Sequence, residues 1–369
     1  MPTILLLFGT ALCIAFYIAV YFTAEAPKTG TLEWIDLYST PQMTRQGVLH
    51  RLKWLDILWC FLMGLMAFGL HLGFGACVDV SMVRTSLASG WAFLTALPAV
   101  LAVMAAYLLG KLLSGRFLGG FLPALLLSCG SLISLYFAET LLMLGCLLLV
   151  LVFFTGKGVW AWLCLVLSGM LLALSTWFHP TYIFFLLPWL GTVLFAEILR
   201  MKREDASFWH LLLAVLAALL SVGITIAIVH FPLYAADLSA ALKTPGCYFM
   251  FWLQLVISIP AKFLAAPEVS PILLLPSAAL LLSGVVMAIG AVKKHHTLGV
   301  LMLLWTGFGL ILAVCFPYAC PIFLPILVLA WLVSRIYARG YSSAATITGL
   351  MPTVISLLMT ILTLWRYVS

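Results

Sequence analysis

Charge is what this chain has least of: 18 Lys and Arg and 11 Asp and Glu make up 8% of its 369 residues. A soluble domain of that size carries roughly a quarter of its residues as charged groups. The shortfall excludes a water-solvated globule, and the 65% hydrophobic content with mean hydropathy +1.24 says the same. Strict alternation of apolar and polar residues is also missing, which excludes a β-barrel. Backbone groups in hydrocarbon must be satisfied within each segment, so helices remain. No loop joins a dense basic run to stacking aromatics, so the net charge of +7 gives no case for nucleic acid. Walker loops, Gly-x-Ser-x-Gly elbows, His-Glu-x-x-His helices and dinucleotide fingerprints are all absent.

Cysteine supplies no framework either. Of nine cysteines, Cys13, Cys60, Cys129, Cys146, Cys164 and Cys315 fall inside apolar runs, where they read as small buried residues. Cys315 and Cys320 flank a turn, but their spacing matches neither a zinc site nor a disulfide scaffold.

What the chain does have is long apolar runs, at about 3–23, 56–75, 91–109, 118–136, 139–155, 160–178, 181–198, 210–231, 271–292, 297–315, 319–338 and 346–365. Each approaches the roughly 20 residues a membrane-crossing helix needs. A further stretch, 248–266, is interrupted by Gln254, Pro260 and Lys262. If the twelve runs cross and 248–266 does not, 14 of the 18 basic residues fall on one side. Lys and Arg in short loops mark the cytoplasmic face. Counting 248–266 as a span weakens that bias, so it is expected to be re-entrant or interfacial. The fold class expected is all-α: a polytopic transmembrane bundle of about 12 spans plus that segment, with both termini outside. The cytoplasmic cations favour anionic lipid headgroups.

The first run is followed by Ala24-Glu25-Ala26, which resembles a cleavage site, yet no positive region precedes it. It is expected to be a retained helix. The organisation expected is 1–55 as an N-terminal helix and cytoplasmic connection, then 56–369 as one membrane domain. Its largest external insertion, 232–270, holds Pro232, Pro245, Pro260 and Pro267. Proline at that density breaks helices, so this stretch is expected to cap a cavity.

Topology sorts the acids. Glu25, Glu33, Asp36, Asp56, Glu197, Glu204 and Asp205 fall on the cytoplasmic side and are expected to be solvated surface charges. Asp79, Glu139, Asp237 and Glu268 fall outside. Asp79 lies just beyond the second run and Glu139 at the junction of the fourth and fifth. Two carboxylates there could serve as base and stabiliser or share a divalent cation; each could equally just hydrate its loop. Arg84, His179, Lys243 and Lys262 are also outward and could bind an anion, or snorkel singly to the interface. His295-His296, beside Lys293-Lys294, reads as a polar cytoplasmic turn.

Several stretches together resemble a known family. Trp54-Leu55-Asp56-Ile57-Leu58 follows a basic anchor; Ala96-Leu97-Pro98 precedes Tyr107-Leu108-Leu109-Gly110-Lys111 and Gly115-Arg116. Leu132 to Glu139 forms a short outer turn ending in an acid, and Pro317-Tyr318 leads through Pro321 to Pro325. From about 55 to 340 this order resembles the GT-C superfamily of polytopic glycosyltransferases, in particular the bacterial branch related to protein mannosyltransferases and aminoarabinose transferases. The resemblance implies a GT-C-like fold in the plasma membrane and transfer of a sugar from a polyisoprenyl-phosphate donor at its outer face. It implies Asp79 as base or acceptor-orienting residue and Glu139 as the second outer acid. Arg84, His179 and Lys262 would serve the donor phosphate, with Lys243 and Tyr318 lining the substrate site. The chain departs from the family in its short first external loop with a single acid, its lack of a large external domain and its extra N-terminal helix. The alternative is a non-catalytic GT-C-like protein, or a transporter or flippase of a lipid-linked or small substrate. A transporter should show paired halves and broken helices meeting at the midplane; no repeated halves are visible.

Overall fold

A computed structural model describes residues 54–78, 91–114, 117–129, 137–155, 158–178, 180–202, 207–241, 275–293, 297–315, 323–338, 346–347, 349–355 and 357–358. Among these described residues the chain is helical almost throughout and contains no strand. The helices are α1 Trp54–Val78, α2 Trp91–Ser114, α3 Phe117–Cys129, α4 Phe137–Thr155 and α5 Val159–Phe178. A 3-10 turn, Pro180–Phe185, leads into α6 Leu186–Lys202; then come α7 Phe208–Ala241, α8 Leu275–Lys293, α9 Thr297–Cys315 and α10 Phe323–Ala338. Each falls on one of the apolar runs. Four stretches are long and apolar enough to cross a membrane: Leu97–Ser114, Val159–Trp177, Tyr182–Lys202 and Phe208–Ile228.

Two of these helices, α1 and α7, are inside out relative to those of a soluble protein. On α1 the buried stripe is Asp56, Cys60, Met63 and Ala67, at i, i+4, i+7 and i+11, while Leu58, Phe61, Leu62 and Leu65 are exposed. On α7 the buried positions are Ala214, Ala218, Ser221, Val222 and Thr225, and the outward ones are Leu212, Leu213, Leu216, Leu220 and Ile224. Small and polar residues face protein and large aliphatic ones face away. That is the order expected where the surroundings are as apolar as leucine and association depends on close packing. The chain is a membrane protein.

Buried hydroxyls obey the same constraint. Ser175 donates to the carbonyl of Leu172 at 2.6 Å, Thr225 to Ser221 at 2.7 Å and Ser283 to Leu280 at 2.8 Å. Each bond returns to the backbone three or four residues earlier, so the hydroxyl brings no unsatisfied donor into the apolar interior.

The described residues fall into two compact units. The first draws on Met1–Leu144, Pro271–Leu310 and Pro321–Ser369; the second on Gly145–Ser270 and Ile311–Cys320. In the first, α2 packs against α1, α3 and α10, and α8 lies on α10. A Cβ at Gly110 would sit 2.1 Å from the carbonyl oxygen of Gly119, so only glycine lets α2 and α3 approach this closely. In the second unit α5 lies along α7, with α6 against α7. The rings of Trp162 and His210 meet at 6.0 Å, and a Cβ on Gly169 would be 2.1 Å from Ser221 Oγ. Both pairs ascend together in sequence, so α5 and α7 run parallel.

One difference from expectation stands out. The helix of α7 continues through Pro232 to Ala241, into the stretch expected to be broken from Pro232 onward. Proline removes one backbone bond, but neighbouring groups and small local adjustments offset that loss in membrane helices. Residues 242–274, including the 248–266 segment, lie outside the described residues, as does the first apolar run.

Candidate functional site

Of the residues that sequence singles out, Asp79, Arg84, His179, Lys243, Lys262 and Tyr318 lie outside the described residues. Glu139 belongs to the first turn of α4, which begins at Phe137, and its side chain lies outside the described set. A common outer cavity formed by these groups therefore stands as a proposal. Among the described residues, no three His, Cys, Asp or Glu side chains gather as a metal site.

The described polar chemistry sits elsewhere, on two acids expected to be solvated. Asp56 is only 4% exposed and Glu197 only 1%. Both expectations are corrected by the same cause: each carboxylate is held by a neighbouring cation at a helix end, so it leaves water without being left uncompensated.

Asp56 lies in the first turn of α1 and Lys111 in the last turn of α2. Lys111 Nζ donates to Asp56 Oδ2 at 2.5 Å, and the lysine and aspartate side chains are 12% and 6% exposed respectively. The ammonium also stands 5.4 Å from the ring centre of the buried Tyr107, within cation–π range. Cys60, one turn beyond Asp56, is buried on the same stripe. Each charge suits its own helix, the acid at an N-terminus and the base at a C-terminus. Antiparallel packing brings the two ends to one level.

In the second unit Arg200 joins α6 to the end of α4. Its Nη1 donates to Glu197 one turn earlier, and its Nη2 donates to the backbone carbonyl of Phe153. That carbonyl lies in the last turn of α4, where no helical N–H remains to meet it. The guanidinium also lies over the Phe153 ring, 4.5 Å from its centre. Nearby in sequence, Trp189 Nε1 donates to Ser168 Oγ at 3.0 Å, and Ser168 donates onward to Leu165 O at 2.7 Å.

A signal for the first pair was present in the sequence. An acid opening one apolar run and a lysine closing the next must meet at one membrane level if the two helices are antiparallel neighbours. Assigning both to the cytoplasmic side was enough to juxtapose them, but not to tell burial from solvation. No protein family, curated protein or solved structure matches the chain.

Proposed function

We propose that the chain is a GT-C-like membrane glycosyltransferase of about twelve spans, acting at the outer face of the plasma membrane. The observation that carries this reading is the one-sided placement of basic residues. It leaves Asp79, Glu139, Arg84, His179, Lys243 and Lys262 together on the opposite side, in the order the family resemblance implies. Chemistry gathered at one face, without repeated halves, favours a transferase over a transporter.

In the proposed step an acceptor hydroxyl gives its proton to the Asp79 carboxylate, and its oxygen bonds to the anomeric carbon of the sugar. The bond from that carbon to the phosphate oxygen breaks, and the electron pair leaves on the polyisoprenyl phosphate. A base must reach the hydroxyl, and cations must stabilise charge building on the leaving phosphate. Arg84, His179 and Lys262 take that second role, Lys243 and Tyr318 line the substrate, and Glu139 supports the base or shares a divalent cation with it.

The test is sugar transfer from a polyisoprenyl-phosphate donor by the full-length protein in proteoliposomes. Asp79→Asn should abolish transfer while yield and monodispersity hold. Unchanged transfer removes Asp79 from the role of base, and movement of intact donor across the bilayer without bond cleavage replaces the transferase by a flippase. A polyisoprenyl phosphate co-purifying with the protein would identify the donor class directly.

A further inference from the structure

Lysines near the end of a membrane helix ordinarily extend outward, toward water. Lys111 does the reverse. The α1–α2 pairing has a second close approach, where a Cβ on Gly64 would lie 2.7 Å from the Cα of Val100. Counting along antiparallel helices from that contact, Asp56 is level with about residue 108 of α2. Lys111 starts about 4.5 Å further toward the helix end, at 1.5 Å per residue, and reaches back to meet Asp56. Side chains on a helix lean toward its N-terminus, which for Lys111 points into the bundle and over the Tyr107 ring. An incidental surface pair would not carry its ammonium away from water.

We propose that Asp56 and Lys111 are a positioning pair that sets the register of α1 against α2 and so the relative position of Val78 and Trp91, the two ends between which Asp79 and Arg84 fall in sequence. The link to those two residues rests on the proposed function; the register claim does not. α1 ends at Val78 and α2 begins at Trp91, so any slip between the helices displaces these two ends by the same distance. One residue of slip is about 1.5 Å, and a misplacement of about 1 Å far from the chemistry can cost on the order of a hundredfold in rate. Gly64 lets the helices approach closely, but its contact with Val100 carries no charge or hydrogen bond that defines a single alignment. A charge pair between two helix ends has one favourable alignment.

The experiment uses the full-length protein in lipid nanodiscs, with Asp56→Asn, Lys111→Met and the exchanged pair Asp56→Lys with Lys111→Asp. Hydrogen exchange is followed at the last turn of α1 and the first turn of α2. Transfer from a polyisoprenyl-phosphate hexose is measured as separate kcat and KM values. Each single variant should speed exchange at those turns by about tenfold or more and lower kcat by about a hundredfold, with KM nearly unchanged. The exchanged pair should recover most of both, because the ion pair is restored even though each charge now opposes its helix dipole.

Unchanged exchange in both single variants overturns the proposal, and so does an exchanged pair no better than the singles. If neither single variant folds, the exchanged pair decides alone: native exchange rates support the proposal, and failure to fold overturns it. A wild-type protein that transfers no sugar sinks the transferase reading, while the exchange measurement still decides the register.

Discussion

Arg200 donates from Nη2 to the carbonyl oxygen of Phe153, a residue 47 positions earlier in the chain, and so closes the end of α4 from α6. The same guanidinium holds the buried carboxylate of Glu197. Removing it takes away the carboxylate's cation and the carbonyl's donor together. Arg200→Met should therefore destabilise the protein by about 3–5 kcal/mol. Arg200→Lys should recover little, since an ammonium cannot reproduce the two-pronged contact. Arg200→Met combined with Glu197→Gln should be clearly more stable than Arg200→Met alone. Thermal unfolding in detergent checks all three, and equal melting points for the single and double variants would sink the argument.

The indole of Trp189 is fully buried, and its N–H is met by Ser168 across 3.0 Å. Ser168→Ala leaves that donor in apolar surroundings and should cost about 1–3 kcal/mol. Adding Trp189→Phe, which removes the donor, should cost less than the two single effects summed. A double-mutant cycle on unfolding midpoints measures the coupling; strict additivity would show that the bond contributes nothing.

Gly110 and Gly69 offer a matched comparison within the first unit. A Cβ at Gly110 collides with the Gly119 carbonyl at 2.1 Å, whereas a Cβ at Gly69 meets nothing within 4 Å. Gly110→Ala should thus destabilise the α2–α3 hairpin by about 1–3 kcal/mol or more, the cost of overpacking. Gly69→Ala should be neutral or stabilise by up to about 1 kcal/mol through helix propensity. The yield of monodisperse protein and its melting temperature would separate them, and a Gly110→Ala protein as stable as wild type contradicts the packing.

Trp54, Trp160 and Trp209 stand in the first turns of α1, α5 and α7, and are 86%, 76% and 69% exposed. Tryptophan prefers the headgroup level, and the basic-residue bias assigns all three helix ends to the cytoplasm. Ser207, exposed just before α7, is a labelling position for that end. Ser207→Cys should react with a membrane-impermeant maleimide in inverted vesicles and stay protected in intact cells. Labelling from outside the cell would invert the whole topology, and with it the set of outward acids.

The helices were legible because an apolar run of membrane length has few alternatives. α1, α5 and α9 begin and end within a few residues of their runs. What lay beyond reach was depth. Topology could place Asp56 and Glu197 on a side, but their burial depends on which cation the neighbouring element brings, a tertiary fact. Pro232 misled for another reason: the local rule that proline ends a helix yields when surrounding groups compensate for the lost bond. The proposed outer site is legible only as a set of residue types expected on one side. Apart from the backbone of Glu139, its members lie outside the described residues, and composition says little about their geometry.

The length of α7 has a consequence for the membrane surface itself. Its 34 residues make a rod of about 51 Å at 1.5 Å per residue, against a hydrocarbon core of about 30 Å. Containing it by tilt alone would need an inclination above about 50°, beyond the range of about 0–40° seen for membrane helices. Some of the rod must emerge into the headgroups and the water beyond. Under the topology expected from the basic residues, Phe208 and Trp209 hold the cytoplasmic end, and the emerging part is the end that contains Asp237. With that topology, a molecule diffusing in the outer leaflet would meet a post there, and its approach to the protein would depend on direction.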